Sequence, residues 1–190
     1  MHSGRIIFGK FKRRLIELPD TKTTRPTTDL LKEAMFNCLI HRFNIEFEKW
    51  SVMDLFAGSG ALGIESASLG SKQILFFENN IIAFNCIKKN IDNLNINDIS
   101  YATKINVNNI NWKLVFKHIK NDSIIVFMDP PYKEIDLLKA QIDIFKDNFN
   151  FLLVIETNTP DLLNIYNPCY ILHNRNDKSI VFIRKYKIIR

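Results

Sequence analysis

Residues 51–63 read S-V-M-D-L-F-A-G-S-G-A-L-G, and Q-I-L-F-F-E follows at 73–78. A short apolar run carries an acid, Asp54, and breaks into three glycines at Gly58, Gly60 and Gly63. This is G-x-G-x-x-G between a strand and a helix that Gly70 closes. Glycines let the backbone approach a ligand, and the free N–H groups of a helix start favour polar or anionic atoms. Glu78 lies 20 residues after Gly58, at the end of the next strand. A carboxylate there accepts hydrogen bonds from the two hydroxyls of a ribose. Loop and acid together point to an adenosine-type cofactor. Asp54 refines the choice, because a carboxylate beside the loop repels a pyrophosphate and attracts a cation. S-adenosylmethionine carries a sulfonium and an ammonium and no phosphate, so it suits Asp54 better than a nicotinamide dinucleotide does.

Further along, V-F-M-D-P-P-Y-K-E at 126–134 ends a buried strand on Asp129, Pro130, Pro131 and Tyr132. In a doubly wound sheet the carboxyl ends of the strands form the ligand crevice. Two prolines stop the strand and stiffen the turn. The exocyclic amine of a nucleobase is a poor nucleophile, because its lone pair is spread into the ring. Acceptors on its N–H groups, such as the Asp129 carboxylate and the Pro130 carbonyl, free that lone pair. Tyr132 offers a stacking surface worth about 1–3 kcal/mol. Asn106, after the third strand, is placed to meet an adenine edge.

Strands alternate with helices along the chain. Apolar strands are expected at 52–56, 73–78, 101–105, 123–128, 151–156, 170–174 and 179–186. Helices are expected from a Thr27 or Thr28 cap to about Ile40, and over 57–70, 80–94, 111–120, 134–149 and 160–166. In the first, Leu30, Leu31, Ala34, Met35 and Cys38 share a face; in the third, Ile82, Cys86, Ile87 and Ile91 or Leu94 do. The pattern is a mostly parallel, doubly wound α/β sheet of seven strands. The polar link N-R-N-D-K is too short for a crossover helix, so the last strand runs antiparallel. Residues 5–18, R-I-I-F-G-K-F-K-R-R-L-I-E-L, read as a basic β-hairpin. The expected division is a hairpin extension over 1–24 and a catalytic domain over 25–190.

The chain has 190 residues and a net charge of +6. Residues 1–25 carry seven basic side chains against Glu17 and Asp20, and 184–190 add four more, so the ends hold all the excess and the middle is net negative. That is the footprint of a polyanion partner. No apolar run approaches the roughly 20 residues of a membrane helix, and the start lacks a signal peptide's apolar segment. The three cysteines, Cys38, Cys86 and Cys169, show no pairing pattern and read as reduced and buried. The expected location is the cytoplasm. The four histidines make no metal-ligand spacing, so no metal is expected.

These residues resemble the class I S-adenosylmethionine-dependent methyltransferases, and within them the bacterial RsmD family. The resemblance rests on R-I-I-F-G-K-F-K-R-R-L near the start, R-P-T-T-D-L-L-K-E-A-M-F-N-C-L at 25–39, D-L-F-A-G-S-G-A-L-G-I-E-S at 54–66, F-F-E-N-N at 76–80 and M-D-P-P-Y at 128–132. It implies a Rossmann-like class I methyltransferase fold, S-adenosylmethionine as cofactor, and methylation of a guanine N2 in 16S ribosomal RNA. By that resemblance Asp54, Ala57, Gly58, Ser59 and Gly60 line the methionine end of the cofactor, Glu78 holds the ribose, and Asn79 is also a cofactor-binding residue. Asn106 lies near the adenine, and Asp129 to Tyr132 orient the guanine. Arg25, Pro26 and Thr27 lie against the cofactor or the RNA entrance. The hairpin, with Arg5, Lys10, Lys12, Arg13 and Arg14, meets the RNA. The chain departs from the family at Phe8 and Arg13, where glycine is usual.

The implied partner is 16S ribosomal RNA or an assembling small subunit, met by a monomer. Three other readings compete. An adenine-N6 or other amino-methylating DNA or RNA enzyme fits the same site, although its relatives often carry Asn in place of Asp129. A non-catalytic RNA-binding assembly module is disfavoured by the intact acids. A nicotinamide oxidoreductase is disfavoured by Asp54.

Overall fold

Two short strands open the chain as a hairpin, β1 (Ser3–Arg5) with β2 (Leu15–Glu17), paired Ser3 to Glu17 and Arg5 to Leu15. The computed structural model describes residues 3–20, 28–121, 123–129, 145, 150–157, 168, 170–173 and 180–186. Within them the apolar segments become β3 (Ser51–Asp54), β4 (Ile74–Glu78), β5 (Ser100–Lys104), β6 (Ser123–Met128), β7 (Asn150–Thr157), β8 (Tyr170–His173) and β9 (Ile180–Tyr186). They form one sheet in the order β5-β4-β3-β6-β7-β9-β8. The first five run parallel; β9 is antiparallel to both β7 and β8. The expected sheet, with its antiparallel last strand, is therefore what forms. β9 inserts inside β8 rather than adding at the edge.

The helices are α1 (Asp29–Asn37), α2 (Ala61–Ser68), α3 (Ile81–Leu94) and α4 (Trp112–Lys117). Thr28 caps α1 by accepting the Leu31 N–H at 3.3 Å, and Asn80 caps α3 by accepting from Ile82 at 2.8 Å. Such caps satisfy N–H groups that a helix start leaves orphaned. The expected helix to Ile40 continues past α1 as a π turn over Cys38–Arg42. The expected helices at 134–149 and 160–166 lie almost wholly outside the described residues.

Each sheet face carries its own core. Val52, Ile125, Phe127, Leu152, Val154, Val181 and Ile183 pack against α1, α2, α3 and the hairpin. Met53, Val126, Met128 and Leu153 pack against Trp112, Phe116 and Phe145 on the other side. Each such fully buried side chain stabilises the fold by about 1.5–3 kcal/mol.

Two expected helix faces need correction. Leu30 is 72% exposed, whereas Lys32 is 2% exposed beside Leu31, Met35 and Phe36. On α3, Ile82 is 50% exposed, whereas Ala83 and Asn90 are buried. In both cases a polar residue goes inside because a specific partner awaits it. Lys32 donates to the Arg5 carbonyl at 2.5 Å and pairs with the buried Glu65 at 3.4 Å. Glu65 in turn accepts the N–H groups of Ile7 and Phe8 at 2.9 and 2.5 Å. Burial pushes the Glu65 carboxyl up, against the pull of Lys32 and these amides. The group clamps the hairpin onto α2. Ser68 adds to the clamp by donating to the Phe8 carbonyl and accepting from Phe11 N–H.

Candidate active site

β3, β4, β6 and β7 end side by side, and each presents an acid at its carboxyl end. Asp54 stands opposite Phe76 of β4 and Phe127 of β6. Residues two apart along a strand share a face. Glu78, two beyond Phe76, and Asp129, two beyond Phe127, therefore emerge on the side of Asp54. Glu156 follows Val154, the register partner of Phe127, by the same step. Four carboxyl groups thus line one face of the crevice.

The glycine loop closes over this row. Gly58 and Gly60 have φ of 54° and 80°, left-handed values that cost glycine nothing. A Cβ on Gly58 would point into open space, with no atom within 4 Å, so the loop's backbone is bare there. Glu78 Oε2 accepts the Gly58 N–H at 2.8 Å and Oε1 accepts the Asn80 N–H at 2.7 Å. The acid is aimed by the loop and by the start of α3 together, with lone pairs to spare for a pair of hydroxyls. Asp54 Oδ2 accepts the Gly63 N–H at 3.2 Å from the first turn of α2. The residues present fit S-adenosylmethionine: a bare, left-handed backbone cradle, a ribose-reaching carboxylate, and a buried acid for a cation.

The electrostatics follow from crowding. Burial pushes the Asp54 carboxyl up to about 7, eased by the Gly63 N–H and reinforced by the Glu78 charge. The half-buried Asp129 is pushed well above the ordinary carboxylate range, first by desolvation, then by Glu156 and by Asp54. This row has a deficit of positive charge that a sulfonium or ammonium relieves. Among the described residues no group of three or more potential metal ligands has metal-binding geometry.

The expected site residues divide clearly. Asp54, Ala57, Gly58, Ser59, Gly60, Glu78 and Asp129 converge on the crevice. Asn79 is exposed beside Glu78. Asn106 follows β5 on the same rim, where its Oδ1 accepts the Asn108 N–H at 2.9 Å and caps a short turn. Arg25, Thr27, Pro130, Pro131 and Tyr132 lie outside the described residues. The basic side chains Arg5, Lys10, Lys12, Arg13 and Arg14 are all exposed, four of them on the turn between β1 and β2. Lys10 and Arg14 lie over the Phe11 ring at 4.7 and 5.5 Å. Glu156 was missed by sequence reasoning. Its signal was available, since F-L-L-V-I-E closes an apolar run on an acid as S-I-I-V-F-M-D does.

A family model described as Conserved hypothetical protein 95 matches residues 4–184. The chain belongs to this family, the RsmD family. The ribosomal RNA small subunit methyltransferase D of Buchnera aphidicola (subspecies Baizongia pistaciae) is 34% identical over 157 residues, covering 81% of this chain and 76% of its own. The Escherichia coli K12 protein of the same name is 33% identical, covering 77% and 71%. Among solved structures, the Escherichia coli protein yhhF matches with a TM-score of 0.71 at 24% identity, covering 98% and 99%. The N-terminal domain of human METTL16, solved in complex with SAH, matches at 0.62 and 16%, covering 90% and 75%. The fold is that of the class I methyltransferases. In the hairpin, Phe8 and Arg13 differ in consequence. Phe8 has ordinary backbone and packs on Phe36, whereas Arg13 has φ of 73°, a conformation natural to glycine.

Proposed function

We propose that this protein transfers the methyl group of S-adenosylmethionine to the exocyclic N2 amine of a guanine in 16S ribosomal RNA. One observation carries the reading: the glycine loop anchors Glu78 at the β4 end of a row of acids that also holds Asp129, with the basic hairpin docked behind the loop. A cofactor acid and an amine-gripping acid thus share one crevice. The curated relatives, named for small-subunit ribosomal RNA methylation, support the substrate class.

In this reading the cofactor supplies an electrophilic methyl. Asp129 accepts an N–H of the target amine, which localises the nitrogen lone pair toward that methyl. With the amine held by Asp129, its nitrogen would take the methyl group and its extra proton would leave for solvent. Much of the acceleration comes from fixed proximity rather than from proton abstraction. The terminal basic groups hold the phosphate backbone, and the hairpin extension over 1–24 serves as the RNA grip of the domain over 25–190.

The test is transfer of a labelled methyl group to small-subunit RNA or partially assembled particles from a strain lacking this protein. Label at guanine N2 in the wild type, reduced at least about 100-fold in Asp129→Ala with cofactor binding retained, is the expected outcome. Equal labelling of duplex DNA, or no difference between wild type and Asp129→Ala, would sink the reading.

A further inference from the structure

The buried amide of Asn90 joins two parts of the molecule that have different tasks. Asn90 is 1% exposed and sits in the third turn of α3. Its Oδ1 accepts the Glu17 N–H of β2 at 2.8 Å. Its Nδ2 donates to the Glu17 carbonyl at 2.9 Å and to the Ser59 carbonyl at 3.1 Å. A side-chain amide has two N–H groups, and here one serves the hairpin and the other the glycine loop. Ser59 lies between the two left-handed glycines, so its carbonyl orientation reports the loop's conformation. The hairpin strand is therefore held by the same planar group that holds the back of the cofactor cradle. The clamps from Glu65 and Ser68 hold the hairpin's turn to α2 but touch no residue of the loop.

We propose that Asn90 is a positioning residue that couples the basic hairpin to the glycine loop, so that RNA on one and cofactor on the other bind cooperatively. This rests on the functional reading above. A tilt of the amide breaks bonds on both sides at once, because it is planar and enclosed. Ordering β2 by a bound polyanion thus restricts Ser59, and ordering the loop restricts Glu17. The coupling is reciprocal by thermodynamic necessity.

Calorimetry tests it, with S-adenosylhomocysteine titrated into the protein alone and into its complex with deproteinised small-subunit RNA. The wild type is expected to bind S-adenosylhomocysteine about fivefold or more tightly with RNA present, within the usual range for linked sites. Asn90→Ala should bring that ratio within about twofold of unity. Ser68→Ala, which loosens the hairpin without touching the loop, should weaken RNA binding and keep the ratio. A ratio near one in the wild type, or an unchanged ratio in Asn90→Ala, overturns the coupling while leaving the methyltransferase reading intact. Wild type that binds no S-adenosylhomocysteine fails earlier and overturns both. If Asn90→Ala does not fold, hydrogen exchange in the wild type decides. The Glu17 amide should exchange at least about threefold more slowly once S-adenosylhomocysteine is added, and an unchanged rate overturns the proposal.

Discussion

Arg13 adopts a φ of 73°, which costs a residue with a Cβ about 1–2 kcal/mol. Arg13→Gly should therefore raise unfolding stability by about 1 kcal/mol in a denaturant titration. On the proposed function it should also weaken RNA binding and lower the salt slope by about one phosphate contact. A loss of stability would show that the arginine makes up for its backbone elsewhere. Asp54 gives a pH prediction. Its folded value near 7 lies above the ordinary range because of burial. The native state therefore holds the proton more tightly than the unfolded chain, and Asp54 makes stability fall as pH rises from about 4 to 7. A cationic cofactor favours the ionised form. Its affinity should rise about tenfold per unit toward pH 7 and level off above it. Asp54→Asn should flatten both profiles; Asp129, Glu156 and Glu78 share the row, so the variant isolates the Asp54 contribution.

Lys32 sets the geometry between three elements, α1, the hairpin and α2. Removing it leaves Glu65 buried and unpaired, so Lys32→Ala should destabilise by about 3–5 kcal/mol, measured by chemical unfolding. Lys32→Met with Glu65→Gln should recover a substantial part. α2 itself tolerates no side chain at Gly63, where a Cβ would stand 2.2 Å from Phe76 Cε1. Gly63→Ala should cost about 1–3 kcal/mol by overpacking and shift the Gly63 N–H away from Asp54. The helix faces show how far periodicity reaches. The α1 span is legible from its threonine cap and spacing and the α3 span from spacing alone, but Leu30 and Ile82 lie outside while Lys32 and Asn90 lie inside. A period of 3.6 counts apolar residues and is blind to a partner that lies far away in sequence.

Over the molecule as a whole, charge is arranged by position rather than amount. The exposed basic groups of residues 5–14 lie on a hairpin docked behind the loop, and the acids line the crevice. RNA affinity should therefore fall steeply with salt, about tenfold or more between 50 and 200 mM, whereas cofactor affinity should change far less. Binding measured at both salts checks this. The order of motifs along the chain was enough for the fold class, the glycine loop, Glu78 and Asp129. Strand periodicity, glycine spacing and strand-ending acids are local properties of a chain and need no partner to be read. The placement of β9 inside β8, the approach of Glu156 to Asp129, and the burial of Lys32, Glu65 and Asn90 are of another kind. They join residues as far apart as Ile7 and Glu65, 58 positions, or Glu17 and Asn90, 73 positions. Such contacts exist only after the sheet has formed, because the low-dielectric packing that makes a buried ion pair or amide specific is created by the fold.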